Sequence, residues 1–217
     1  MVKKFELFRL FSIPVLKGYL DLSSDELKKV KNIVKKEEYV ASGSNTPTYQ
    51  SKNLYVLDKI DFLKNKIMNT LNIYKNDVYK FNNTNLSMTT SWCVKVMPKS
   101  ESIYHNHSNS MFSGVYYIDT DNKSSQISFN SFTTNKMISP SPLDPTETNL
   151  DNSHVWSFKP ENNMILFFPS YLYHKIEKNF SNKTRYSVAF NFMPYGQIGA
   201  SDGLINLENK FKIWLQA

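Results

Sequence analysis

The chain has 217 residues, 41% of them apolar, enough for one well-buried core and near the size at which a β-barrel-type domain stays undivided. Its 26 Lys and Arg against 19 Asp and Glu leave a net charge of +7, which favours anionic partners, although the lysines are spread along the chain. One cysteine, Cys93, excludes an internal disulfide framework and a Cys-rich zinc site, and no apolar run approaches the ~20 residues of a membrane span.

The opening "MVKKFELFRLFSIPVL" is interrupted by Glu6, Arg9 and Pro14 and lacks a small-residue cleavage site, so it does not read as a signal peptide. The expectation is a soluble, cytoplasmic protein of a single domain over 1–217 that does not engage a membrane. "SSDELKKVKNIVKKEEY" carries Ser23 three residues before Glu26, the pattern of a capping box, and sets Leu27, Val30 and Val34 on one helical face. Lys28, Lys29, Lys31, Lys35 and Lys36 then read as the solvated side of that helix and not as a nucleic-acid site. "ASGSNTPTYQS" reads as a loop. From about Leu57, the residues Ile60, Leu63, Ile67, Leu71, Tyr74 and Val78 recur at helical spacing and predict a second helix.

Beyond residue 85 the texture changes to short runs rich in Val, Ile, Phe, Tyr and Trp. "MTTSWCVKVM", "FSGVYYID", "SQISFNSF", "NMILFFPS" and "RYSVAFNFM" predict strands, about seven or eight in all if "KFELFRLF" also pairs. "TTNKMISPSPLDPTETNLDNSH", with three prolines and no apolar period, predicts a long surface loop, in which His154 reads as solvent-exposed. "LINLENKFKIWLQA" predicts a C-terminal helix over about 203–216. Helices followed by strands point to an α+β, mainly β architecture: an antiparallel sandwich or barrel of about 86–195 behind a helical lead-in of about 1–85 that packs on one sheet.

The chemistry concentrates in "SIYHNHSNSMFSGVYYID" and "FPSYLYHKIEKN". His105 and His107 precede one strand, and His174 follows another; an HxH pair with a distant third histidine is a common spacing for iron, zinc, copper or nickel. In "KTRYSVAFNF", Arg185 and Ser187 share one face of an otherwise apolar strand. A buried arginine needs an anion, and an inward Arg-x-Ser pair suits a carboxylate, the guanidinium as a fork and the hydroxyl as an added donor.

A histidine motif opening a jelly roll, a distal histidine and an inward Arg-x-Ser resemble the iron(II)- and 2-oxoglutarate-dependent oxygenases. The resemblance covers most of the chain, is carried by "HNHSNSMFSGVYYID" and "LFFPSYLYHKIEKNFSNKTRYSVAFNF", and is nearest to a phage and bacterial branch related to prolyl hydroxylases. It implies a double-stranded β-helix with iron(II) held by His107 and His174. It also implies 2-oxoglutarate held by Arg185 and Ser187 with help from Tyr104 or Tyr117, and a hydroxylation by dioxygen that releases succinate and carbon dioxide. One departure stands out: the superfamily's HxD/E…H pattern has no carboxylate here. His107 with Asn109 in the place of the acid, His105 completing a three-histidine set, or water at the third position all remain open. A three-histidine cupin and a non-catalytic jelly-roll binding module are the competing readings. Arg185 with Ser187 separates the oxygenase from the cupin, which has no use for a carboxylate clamp. The substrate has no motif of its own; a peptidyl residue is one candidate, and nothing in the sequence speaks for or against an oligomer.

Overall fold

The computed structural model describes residue 6 and residues 12–42, 47–81, 83–131 and 146–207. The capping box forms as the sequence predicts. Ser23 Oγ accepts from the Glu26 N–H at 3.2 Å, and the Glu26 carboxylate accepts from the Ser23 N–H at 2.8 Å. This starts α1 (Ser24–Lys36), whose buried face is Val30 and Val34. The second helix is subdivided. A 3-10 turn at Val56–Lys59 leads into α2 (Asp61–Ile73), and a single π turn covers Tyr74–Val78. Ile60, Leu63, Ile67, Leu71 and Tyr74 are all buried, but Val78 is 43% exposed. The π turn explains this: its bond runs from Tyr79 N to Tyr74 O, five residues back, so the helical count that would bury residue 78 no longer holds.

The described residues form eleven strands. They are β1 (Leu16–Tyr19), β2 (Tyr39–Ser42), β3 (Thr48–Ser51), β4 (Asn85–Val96), β5 (Phe112–Asp119), β6 (Ile127–Asn130), β7 (Val155–Phe158), β8 (Met164–Pro169), β9 (Tyr173–Ile176), β10 (Arg185–Ile198) and β11 (Ile205–Leu207). The larger sheet runs β1-β8-β5-β10-β4-β3-β2, with β11 beside β10; the smaller runs β7-β6-β9; every strand pairing within them is antiparallel. Among the strands that the sequence reading did not pick out, β7 and β9 belong to the smaller sheet, while β1, β2 and β3 lie in the helical lead-in and extend the larger sheet, β1 along one edge and β3 and β2 along the other. β2 and β3 fall at the two ends of the stretch read as a loop. The "KFELFRLF" strand and most of the proline-rich loop lie outside the described residues. So does most of the expected C-terminal helix, whose first part is instead strand β11, drawn into pairing with Gly196–Ile198.

Period-two alternation divides the apolar residues between two cores. Tyr116 and Ile118 of β5, Ile165 and Phe167 of β8, and Val188, Phe190 and Phe192 of β10 pack with the helical residues. Val115 and Tyr117, with Leu166 and Phe168, pack against Ile127 and Phe129 of the smaller sheet. The sheets thus stack face to face and the helices cover the outer face of the larger one, as the mainly β expectation had it. Gly114 is what lets β5, β8 and β10 approach at the centre: a Cβ there would lie 2.3 Å from Phe190 Cε2 and 2.6 Å from Leu166 O.

Candidate active site

A cavity of about 360 Å³ opens between the two sheets, and among the described residues Arg185 is the one permanently charged residue that lines it. Its histidines arrive from two segments that pair with each other. β9 places His174 opposite Phe129 of β6, and on its other edge His174 bridges to His105. Extended backbone sends residues i and i+2 to one side, so the motif that presents His105 also presents His107. The His107 N–H is held by Ser170 O at 2.9 Å, which ties the motif to the end of β8.

Each of His105, His107 and His174 offers a ring nitrogen, and these nitrogens lie within 4.8 Å of one another. The Nδ1 atoms of His105 and His174 sit 3.0 and 2.9 Å from the carbonyl oxygens of Ile103 and Leu172. A carbonyl only accepts, so both Nδ1 atoms carry the proton and both Nε2 lone pairs are free for a metal. His107 Nδ1 lies 2.7 Å from Asn191 Oδ1 and 2.9 Å from Ser113 Oγ. Burial behind Phe129 and Phe168, helped by the neighbouring His105 and His107 and opposed by the Leu172 hydrogen bond, pushes His174 down to about 3. Burial also lowers His107, with Asn191 opposing and His105 adding to the effect. These imidazoles are neutral at physiological pH, the form that binds a metal.

Farther in, Arg185 is 1% exposed. Its Nη1 donates to Ser125 O at 2.9 Å, and its guanidinium carbon lies 5.2 Å from the centre of the Tyr117 ring. Arg185 Nε and the hydroxyls of Ser187 and Ser125 are buried with no hydrogen-bond partner among the described residues. Burial lowers the Arg185 pKa, and the same burial pushes the Tyr117 phenol up to about 12, so the pair meets a ligand as a cation and a neutral phenol.

Two expected residues fall elsewhere. Asn109 is an exposed turn residue that does not line the cavity, because the chain turns away from the sheets at Ser108 and Asn109. Tyr104 has the parity opposite to His105 and also stays outside the lining, with the Lys175 ammonium 5.2 Å from its ring centre. Tyr117 does line the cavity. His154 is partly buried beside β7 and belongs to no described metal-type cluster. Asn191, Ser113 and Ser170 escaped the sequence reading. Asn191 was within reach of it, since an amide at the same parity as Arg185 and Ser187 stands out in an apolar strand.

Residues 90–191 match the family model described as "Putative 2OG-Fe(II) oxygenase". That segment runs from β4 into β10 and contains every side chain of the cluster and the clamp. Over that segment, a little under half of the chain, the protein is similar to the 2OG-Fe(II) oxygenases. A search of the curated proteins finds no match. Among solved structures, it is similar to HygX from Streptomyces hygroscopicus with nickel, 2-oxoglutarate and hygromycin B bound, at 10% identity and a TM-score of 0.60 over 84% of this chain and 83% of that one. It is also similar to a Pseudomonas putida prolyl-4-hydroxylase, at 12% identity and a TM-score of 0.54 over 84% of this chain and 94% of the other. A third likeness is to a Trichoplax adhaerens prolyl hydroxylase in complex with a hypoxia inducible factor peptide fragment, at 11% identity and 0.57 over 82% and 83%. At such identities the likeness is one of fold, and that fold is the double-stranded β-helix.

Proposed function

We propose that this protein is an iron(II)- and 2-oxoglutarate-dependent dioxygenase in which His105, His107 and His174 hold the metal and Arg185 and Ser187 hold the far carboxylate of 2-oxoglutarate. The observation that carries this reading is the unpaired donor set: Arg185 Nε and Ser187 Oγ are buried without partners on the wall of the same cavity that the three imidazoles enter. A buried cation with unused donors is costly unless an anion arrives, and a carboxylate supplies two acceptors for a fork and a hydroxyl. Ser125 Oγ, also unpaired and beside the guanidinium, is a further donor for that carboxylate. This favours the oxygenase over a three-histidine cupin, which would leave these groups unsatisfied.

The donor atoms suit the metal as well. Three imidazoles are borderline ligands appropriate to iron(II), and the carbonyl contacts of Ile103 and Leu172 hold two of the rings with Nε2 available. Iron(II) with bound 2-oxoglutarate supplies the activation of dioxygen, the cosubstrate leaving as succinate and carbon dioxide. The chain's own part is to fix the cosubstrate's orientation through Arg185, to keep water from the inner end with Tyr117, Val115 and Phe168, and to leave the outer end open to substrate. Among the described residues Arg185 is the one permanent charge on the lining, and with it taken by the cosubstrate an uncharged group suits the remaining space. A peptidyl side chain is the first class to test.

The experiment is calorimetric titration of 2-oxoglutarate into anaerobic, iron-loaded protein, followed by succinate measurement in air. Saturable binding that requires the metal, and succinate formed in its presence, are the expected results. Absence of binding at millimolar 2-oxoglutarate would reject the reading and return the three histidines to a cupin-like role.

A further inference from the structure

We propose that Asn191 is a positioning residue that selects the ring tautomer of His107, and so decides whether this imidazole can act as a ligand; the proposal rests on the three-histidine reading above. His105 and His174 need no such device, because their Nδ1 atoms face backbone carbonyls that can only accept. His107 differs. Its Nδ1 faces two side chains, Asn191 at 2.7 Å and Ser113 at 2.9 Å, and a hydroxyl or a primary amide can present either a donor or an acceptor.

The surroundings set the direction. Ser113 Oγ donates to Asn191 Oδ1 at 2.8 Å, and Ser170 Oγ, 2.7 Å from Ser113 Oγ, is then the hydroxyl that donates to Ser113. Ser113 and Ser170 are fully buried and Asn191 nearly so, leaving little water to reverse the chain. With Oδ1 inward, Asn191 receives the Nδ1–H of His107 and its Nε2 lone pair is free. With the amide turned over, an N–H would meet His107 Nδ1, the ring proton would move to Nε2, and that nitrogen could not ligate.

The anchor is rigid. Asn191 is paired on both sides within the larger sheet, with Ser113 of β5 and Thr90 of β4, and the register with β4 shifts immediately after it. A short side chain on such a position holds its amide in place far better than one on a loop. Among the described residues no carboxylate contributes to the cluster, so the basicity of each imidazole weighs more in metal affinity, and an Nδ1–H donated to oxygen raises it.

The test uses the full chain without metal, labelled with nitrogen-15, and then cobalt(II) as the probe. In wild type, His107 is expected as the Nδ1–H tautomer at neutral pH. Asn191→Asp, whose side chain only accepts, should keep that tautomer and bind cobalt(II) at least as tightly. Asn191→Leu should shift His107 toward Nε2–H and weaken cobalt(II) by roughly 10- to 100-fold, the range for loss of a supporting hydrogen bond. A merely structural role would lower the melting temperature without moving the tautomer. The proposal is overturned by an unchanged tautomer in Asn191→Leu, or by lost cobalt(II) binding in a folded Asn191→Asp, which decides the matter if the leucine variant does not fold. Wild type that takes no cobalt(II) while its tautomer responds as described would instead remove the metal reading and leave the tautomer control standing.

Discussion

His105 and His174 are a hydrogen-bonded pair across an antiparallel bridge, N–H to O at 3.0 Å in one direction and 2.9 Å in the other, with their rings 4.5 Å apart. The backbone therefore brings these two imidazoles together before any metal does, and His105 has the same claim on the metal as His174. His105→Ala and His174→Ala should each weaken iron(II) or cobalt(II) binding by more than the roughly 100-fold that marks loss of a supporting contact. Asn109→Asp, in its exposed turn, should leave the affinity as it was. Metal titration of the three variants checks this; a His105→Ala protein that binds as wild type does would return the third position to water.

Arg185→Gln should weaken 2-oxoglutarate binding by roughly 30-fold or more. Removing one member of a buried charged pair costs on the order of 2–5 kcal/mol, and ~1.4 kcal/mol is tenfold. Arg185→Lys should recover only part of the loss, because an ammonium lacks the planar fork and cannot also keep the bond to Ser125 O. Metal binding should survive in both, since the guanidinium is not a ligand. Equal 2-oxoglutarate affinity in wild type and Arg185→Gln would show that the carboxylate binds elsewhere.

Legibility in the sequence followed the range of the interactions concerned. The capping box of α1, the inward pair Arg185 and Ser187, and the period-two strands β5, β8 and β10 rest on neighbours within one element, and these were readable. The clustering of His105, His107 and His174 was anticipated from their spacing and from family resemblance, and not from any local signature of the strand pairing that brings the distant segments together. Asn109 was placed at the metal by analogy with a motif's spacing, and the turn at Ser108–Asn109 removes it. The short strands β2 and β3 were hidden in a Ser/Thr/Asn-rich stretch whose extended form comes from pairing of β3 with β4 and of β2 with β3, a tertiary effect that outweighs composition. Ser113 and Ser170 carry no chemical pattern of their own; their role comes from the hydrogen-bonded chain that they form with Asn191.

Gly114→Ala should destabilise the fold by about 1–3 kcal/mol or more, the range for an overpacked interior. The added methyl would meet the backbone oxygen of Leu166 as well as the Phe190 ring, and backbone cannot rotate away. Gly18→Ala in β1 is the matched control: its nearest neighbour would be Ile165 Cγ2 at 3.7 Å, an ordinary contact. Urea unfolding of the two variants checks the difference, and similar midpoints would mean that β5 and β8 separate more easily than their packing implies.

Asp119 ties α1 to the end of β5 through Lys35 at 2.8 Å and Lys31 at 3.3 Å. Partial burial would raise its pKa, but the two ammoniums outweigh this and hold the carboxyl below its ordinary value. A carboxyl depressed in the folded state contributes stability above its unfolded pKa of about 3.9, and that contribution disappears as pH falls through the folded value. The carboxylate is 32% exposed and Lys35 48%, so solvent screening limits the contribution to about 0.5–1 kcal/mol. Asp119→Asn should therefore be less stable than wild type at neutral pH by this amount, with the gap closing below about pH 4. In ~1 M salt, where the screening length is only ~3 Å, the gap should narrow at neutral pH too. Thermal unfolding of both proteins across this range decides it, and a difference that stays constant with pH would assign the effect of the substitution to packing and not to charge.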